Sequence, residues 1–389
     1  MAYLDHAATT PIRPEAIEAM ERARRVTGNP SSLHAAGRAA RRIIEESREI
    51  IATLFGADPA EVVFTSGGTE SDNLAVKGLY WAQRAVDPRR RRLVISPVEH
   101  HAVLDAARWL ADRQGAELVL LDIDADGIVT PDALTAALAA APDATAAVSI
   151  MWANNETGVV QPIPGLAAAA GQVSFHTDAV QAAGALPIDF AASGAAVLTL
   201  SAHKLGGPVG VGALLLRRGV ALEPVLHGGG QERDVRSGTL DAVAAAGFAA
   251  AATAALTDDH RRIAGLRDAL IDGVRNQIPD AVVTAERAER LPGIAHLMFP
   301  GCDSEALLML LDAAGVECSA GSACTAGVNR VSHVIEAMAV DPVLARGALR
   351  FSLGRTSTAD DVAAVLRAMP SAVERSRAAR AAVVEGGRR

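Results

Sequence analysis

Lysine is nearly absent from this chain. Of 37 basic residues among 389, only Lys77 and Lys204 are lysines, and the rest are arginines. Chemistry that needs a side-chain primary amine therefore has two candidates. Cysteine is scarce as well. Cys302, Cys318 and Cys324 are too few for a disulfide scaffold and suit a reducing compartment. No apolar run approaches the roughly 18 residues of a membrane span. The segment Met1-Ala2-Tyr3-Leu4-Asp5-His6 lacks the basic and apolar blocks of a signal peptide, so a cytoplasmic protein is expected. Nor is there a basic excess. The formal net charge is -8, which argues against direct nucleic-acid binding.

What is present is a large apolar fraction, 50% of residues against 21% charged, enough to bury a sizeable core. Residues 35–55 space isoleucines helically among Arg and Glu and read as a surface helix. Unbroken apolar runs follow at 61–65, 92–96, 118–121, 147–151, 173–176, 196–200 and 211–216. Unbroken rather than alternating runs predict strands covered on both faces. With helical stretches between most of them, they predict an α/β fold with a mainly parallel sheet covered by helices on both faces. The alternation ends near residue 255. A smaller α+β unit is expected after it, with a helix at 258–277, strands near 293–299, 315–319 and 348–353, and a closing helix from Asp360 behind a Thr358/Asp361 cap. The expected division is an N-terminal segment 1–15 packing with the small unit, a large unit 16–255 and a small unit 256–389.

In an open parallel sheet, ligands bind beyond the carboxyl ends of the strands. Five strand ends here carry polar clusters. They are Ser66-Gly67-Gly68-Thr69-Glu70-Ser71, Glu99-His100-His101, Asn154-Asn155-Glu156, Asp178 with Gln181, and Ser201-Ala202-His203-Lys204. Each alone has a plain account as a turn or cap, but together they converge on one rim. Glycines and hydroxyls opening a helix can hold a phosphate. No Gly-Lys-Ser/Thr or Gly-x-Gly-x-x-Gly is present, His and Cys spacing matches no metal site, and no Gly-x-Ser-x-Gly elbow occurs. A phosphate nest, an acid, a flat His and a lysine are what pyridoxal phosphate requires: an amine for its aldehyde and a carboxylate opposite its ring nitrogen. Crowding by Ser201, His203 and a ring cation is expected to depress the pKa of Lys204.

These segments, with Leu4-Asp5-His6-Ala7-Ala8-Thr9-Thr10-Pro11, Gly28-Asn29-Pro30-Ser31-Ser32, His227-Gly228-Gly229-Gly230-Gln231-Glu232-Arg233, Arg236-Ser237-Gly238-Thr239, Gly321-Ser322-Ala323-Cys324 and Arg350-Phe351-Ser352-Leu353-Gly354-Arg355, occur in an order that resembles the pyridoxal-phosphate-dependent cysteine desulfurases of the NifS/IscS-like branch (class V aminotransferases, fold type I). The resemblance covers nearly the whole chain. It implies that Lys204 carries the cofactor, His100 stacks on its ring and moves protons, Asp178 pairs with the ring nitrogen and Gln181 with the ring hydroxyl. Gly68, Thr69, Ser201 and His203 would hold the phosphate. Thr239 would reach the phosphate of a neighbouring subunit, making a homodimer. Asn155 and Arg350 would orient the carboxylate of L-cysteine, and Cys324 would take its sulfur as a persulfide for iron–sulfur cluster assembly through an acceptor or scaffold protein. No metal is implied. Cys302 and Cys318 are expected to be structural and Lys77 to be a solvated surface residue. Val328-Asn329-Arg330-Val331-Ser332-His333 departs from the residues usual after the cysteine loop, so the docking of the acceptor is expected to differ. Two other readings use the same residues: another reaction on this fold, such as aminotransfer or selenocysteine cleavage, and a sulfur carrier without catalysis. The complete lysine, acid and histidine set argues against the carrier.

Overall fold

A computed structural model describes residues 1–320 and 331–386. Its strands are β1 (Ala2–Tyr3), β2 (Val62–Thr65), β3 (Arg92–Ile95), β4 (Glu117–Leu120), β5 (Thr145–Ser149), β6 (Ser174–Asp178), β7 (Val197–Ser201), β8 (Gly212–Leu216), β9 (Val282–Val283), β10 (Ile294–Met298), β11 (Val316–Glu317) and β12 (Ala348–Ser352). Strands β2 to β8 form one sheet in the order β2-β8-β7-β6-β5-β3-β4. Apart from the outermost β4, every strand is almost fully buried, because helices pack on both faces. Strands β3 to β7 pair in parallel. Strand β8 is the exception, antiparallel to both β7 and β2. The stretch between β7 and β8 is too short for the dozen or so residues of a crossover, so the chain turns back instead.

The strand order puts the carboxyl ends of β2, β3, β5, β6 and β7 along one edge of the sheet. Strand β2 is the outer edge, and side chains rather than a further strand satisfy its free backbone. Phe64 N–H donates to Glu232 Oε2 (2.9 Å), and the Val62 carbonyl accepts from Arg48 (2.6 Å) and Arg233 (2.8 Å). An edge closed in this way cannot template pairing with another chain.

After the helix Ala242–Ala255 a second cluster of buried side chains begins, built on the antiparallel sheet β12-β10-β9 and the helices His260–Gln277, Ser304–Ala313 and Ala359–Gly386. The last of these helices runs through Pro370. The N-terminal residues join this C-terminal unit. Strand β1 pairs in parallel with β11, and Asp5 bridges to Ser352.

Candidate active site

The strand ends meet at a cavity of about 380 Å³ lined by Gly68, Thr69, His100, Asn155, Asp178, Gln181, Ser201, His203, Lys204 and Arg350, with Ala7, Ala8, Asp72, Met151, Val180 and Ser319 completing the wall. Of the expected site residues within the described structure, only Thr239 stands apart. It is exposed and does not line the cavity of its own chain. Cys324 lies outside the described residues.

Each wall follows from its local sequence. Gly67 has φ of +147°, a conformation that favours glycine, and no side chain caps the helix Gly68–Val86 that it opens. Thr69 is therefore inside the helix rather than its cap, and the first-turn amides face the cavity unclaimed by a capping side chain. A Cβ on Gly68 would approach Val180 Cγ2 to 3.1 Å, so a side chain there would crowd this cradle. Asp178 ends β6. Its Oδ1 accepts from Val180 N–H (2.8 Å), and burial pushes its carboxyl up while that hydrogen bond and Lys204 oppose the shift.

Lys204 follows β7 in a single 3-10 turn. Its Nζ donates to the carbonyls of Ala7 (2.6 Å) and Ala8 (2.7 Å), and Gln181 Nε2 also donates to Ala7 O (2.8 Å). Its pKa is lowered to about 8, first by burial and then by Arg350. The expected depression is present, but His203 does not cause it. Burial and Lys204 hold His203 itself down to about 4, so its ring carries no charge at neutral pH. His100 lies likewise at about 4, held there by burial and by Lys204. His100 faces the cavity, whereas His101 turns away and packs on His333 with ring centroids 4.7 Å apart.

Arg350, on β12, crosses from the C-terminal sheet. It donates to Asp5 Oδ1 and to the Asn155 carbonyl, each at 2.8 Å, and its Nε is buried without a partner. Local sequence gave Asp5 no role, although it sits inside the motif at residues 4–11. Asp72 was also missed. It is buried one turn into the helix Gly68–Val86, with Oδ1 3.6 Å from His176 Nε2. No sequence signal marks it, because an acid on the buried face of a helix looks like any other polar residue until the sheet is assembled.

The chemistry of this donor set fits pyridoxal phosphate. Uncapped helix amides beside Ser201 suit a phosphate, a buried carboxylate suits a protonated ring nitrogen, and a lysine of lowered pKa suits an aldehyde. The fold and site define a pyridoxal-phosphate-dependent enzyme of fold type I.

Comparison with known proteins agrees. The aminotransferase class-V family model matches residues 2–365. An IscS-like cysteine desulfurase of Mycobacterium tuberculosis is 55% identical, the match covering 100% of this chain and 99% of the relative. The solved structure of a NifS-like protein from Rickettsia africae superposes with a TM-score of 0.86 at 31% identity, over 96% of this chain and 99% of that one. SspA, solved in complex with cysteine, superposes at 0.81 with 30% identity, over 92% and 100%. The chain belongs to the class-V aminotransferase family, among its NifS/IscS-like cysteine desulfurases.

Proposed function

We propose that the protein converts L-cysteine to L-alanine, moves the substrate sulfur to Cys324 as a persulfide, and supplies it to an acceptor or scaffold protein for iron–sulfur cluster assembly. The observation that carries this reading is the convergence of Lys204, Asp178, His100 and Arg350 on one cavity. Lys204 holds the cofactor, Gly68, Thr69, Ser201 and His203 its phosphate, Asp178 its ring nitrogen, Gln181 its ring hydroxyl and His100 its face. When bound, pyridoxal phosphate supplies the electron sink that loosens bonds around the substrate α-carbon.

The chain's own residues supply the rest. Arg350, fixed by Asp5 and the Asn155 carbonyl, meets the substrate carboxylate with a fork already oriented. Lys204, lowered to about 8, keeps a minor neutral fraction at neutral pH that grows toward pH 8, and His100, lowered to about 4, faces the cavity as an uncharged ring. Burial pushes the thiols of Cys302 and Cys318 up, Cys318 to about 12, which suits them to structure rather than attack. That leaves the sulfur to Cys324. Incubation with L-cysteine followed by mass-spectrometric mapping tests the reading. A persulfide on Cys324 is expected, and labelling confined to Cys302 or Cys318 would overturn it.

A homodimer with shared sites is supported by Thr239, which is exposed and away from its own cavity. A cytoplasmic location is supported by the free thiols of Cys302 and Cys318. Among the described residues no helix is long and apolar enough to cross a membrane. The division into 1–15, 16–255 and 256–389 is supported by the separate buried cluster after residue 255 and by the pairing of β1 with β11.

Two measurements follow from this site. Arg350→Lys keeps the charge and loses the fork. Losing one charge-assisted hydrogen bond costs about 1.5–3 kcal/mol, so KM for cysteine is expected to rise roughly 10- to 150-fold with kcat less affected. An unchanged KM would remove Arg350 from substrate binding. Lys204 must be neutral to react with an aldehyde, so the rate at which apoprotein takes up cofactor should rise about tenfold per pH unit below about 8 and level off above it. A plateau reached only near the ordinary lysine value would contradict the lowered pKa.

A further inference from the structure

The loop between β8 and the helix Ala242–Ala255 carries Thr239, but its most heavily anchored residues are Glu232 and Arg236. Arg233 and Asp234 between them have φ of 52° and 61°, unusual for residues other than glycine. Such a turn persists only where its surroundings over-determine it, and here they do. Glu232 is 1% exposed, and Arg48 clasps its carboxylate from two nitrogens at 2.6 and 2.8 Å. The Arg48 guanidinium in turn lies 5.0 Å over the Phe64 ring. The Glu232 amide then closes the turn on the Arg236 carbonyl at 3.0 Å.

Held there, Arg236 reaches the other end of β2. Its Nε donates to Glu70 Oε1 at 2.8 Å, and Glu70 Oε2 accepts from Ser66 N–H at 2.8 Å. Glu70 thus staples the Ser66–Thr69 turn from inside the first helical turn. A carboxylate at that position, beside amides that receive a phosphate, would repel the incoming anion if left uncompensated. Burial pushes the Glu70 carboxyl up, yet hydrogen bonds from Arg236 and Ser66 more than offset this and hold it below its ordinary value.

We infer that Arg236 and Glu70 are positioning residues for the cofactor's phosphate: Arg236 neutralises an acid that would repel the phosphate and fixes it as the staple that shapes the turn. The buried Arg48–Glu232 pair is the anchor from which Arg236 acts. This rests on the reading that Gly68 and Thr69 hold the phosphate.

The test is the rate of pyridoxal phosphate release from holoenzyme carrying Arg236→Gln, Glu70→Ala or both, with the ³¹P resonance of the bound phosphate and the thermal midpoint of each apoprotein measured alongside. Arg236→Gln leaves a bare carboxylate and should release cofactor roughly tenfold faster and shift the ³¹P resonance, while Arg236→Lys restores most of the retention. Glu70→Ala loses the staple but also the repulsion, so its effect should be smaller. The decisive outcome is the double variant. Removing Glu70 from the Arg236→Gln protein should slow release back toward the Glu70→Ala rate. A simple structural brace predicts equal or additive losses that track the apoprotein midpoints, and that result would overturn the inference. Thr69→Ala separates the two claims. If it retains cofactor like the parent, the phosphate reading fails. If it sheds cofactor while the Arg236 variants do not, only the present inference fails.

Discussion

Lys204→Ala is expected to lose the visible absorption of bound cofactor and to lower cysteine desulfuration by on the order of 10³-fold or more, whereas Lys77→Ala should keep both. The contrast is unusually clean because the chain has no third lysine. Arginine cannot substitute, since a guanidinium stays protonated and is no nucleophile at neutral pH. The two lysines also occupy different surroundings. Lys77 is half-buried rather than solvated, with its ammonium 4.7 Å from the centroid of the Trp109 ring on the neighbouring helix, and burial lowers its pKa. A depressed pKa therefore does not by itself distinguish them. Position does, because Lys204 lines the cavity with Asp178 and Lys77 does not. A visible cofactor band surviving in Lys204→Ala would sink the assignment.

Cys324→Ala should behave in the opposite way with respect to the cofactor. The absorption band stays, substrate still binds, and sulfide release in the presence of reductant falls by on the order of 10²-fold or more. The expected size rests on the lack of a substitute among the described thiols. Cys302 is fully buried, and burial pushes the Cys318 thiol to about 12, leaving almost no thiolate at neutral pH. Sulfide release at the parent rate would show that the sulfur leaves without a protein thiol, and the persulfide mechanism would then be wrong.

The parts of the site that were legible in the sequence are those written locally. Buried parallel strands are continuous apolar runs, so the polar residue that ends each one stands out. This is how Ser66, Asp178 and Ser201 could be placed on one rim before any topology was known. The antiparallel course of β8 was harder to see, because residues 211–216 look like any other buried strand and only the short connection from β7 betrays the reversal. Of the neighbours expected to depress the Lys204 pKa, His203 adds no charge; burial comes first and Arg350, 146 positions away, second. Asp5 with Arg350 and Glu70 with Arg236 are pairs of ordinary surface-type residues, and separations of 345 and 166 positions leave no periodic trace. Asp72 was hidden for a related reason, since its burial comes from the sheet beneath the helix and not from the helix pattern itself.

The carbonyls of Ala7 and Ala8 that hold Lys204 belong to a segment whose register is set by β11 and β12. Ala7 N–H donates to Ser352 Oγ, and Ser352 N–H donates to the Leu4 carbonyl. On the ribosome, residues 2–8 emerge more than 300 residues before the strands that seat them. Until β11 and β12 follow, β1 has no strand to pair with, the bonds to Ser352 are missing and Arg350 does not yet exist. The large sheet can form as its strands appear, but the reactive amine is assembled only by a contact of very high sequence separation, the slowest kind to close. The full wall around the reactive amine, Arg350 included, is therefore completed only late in the life of the chain.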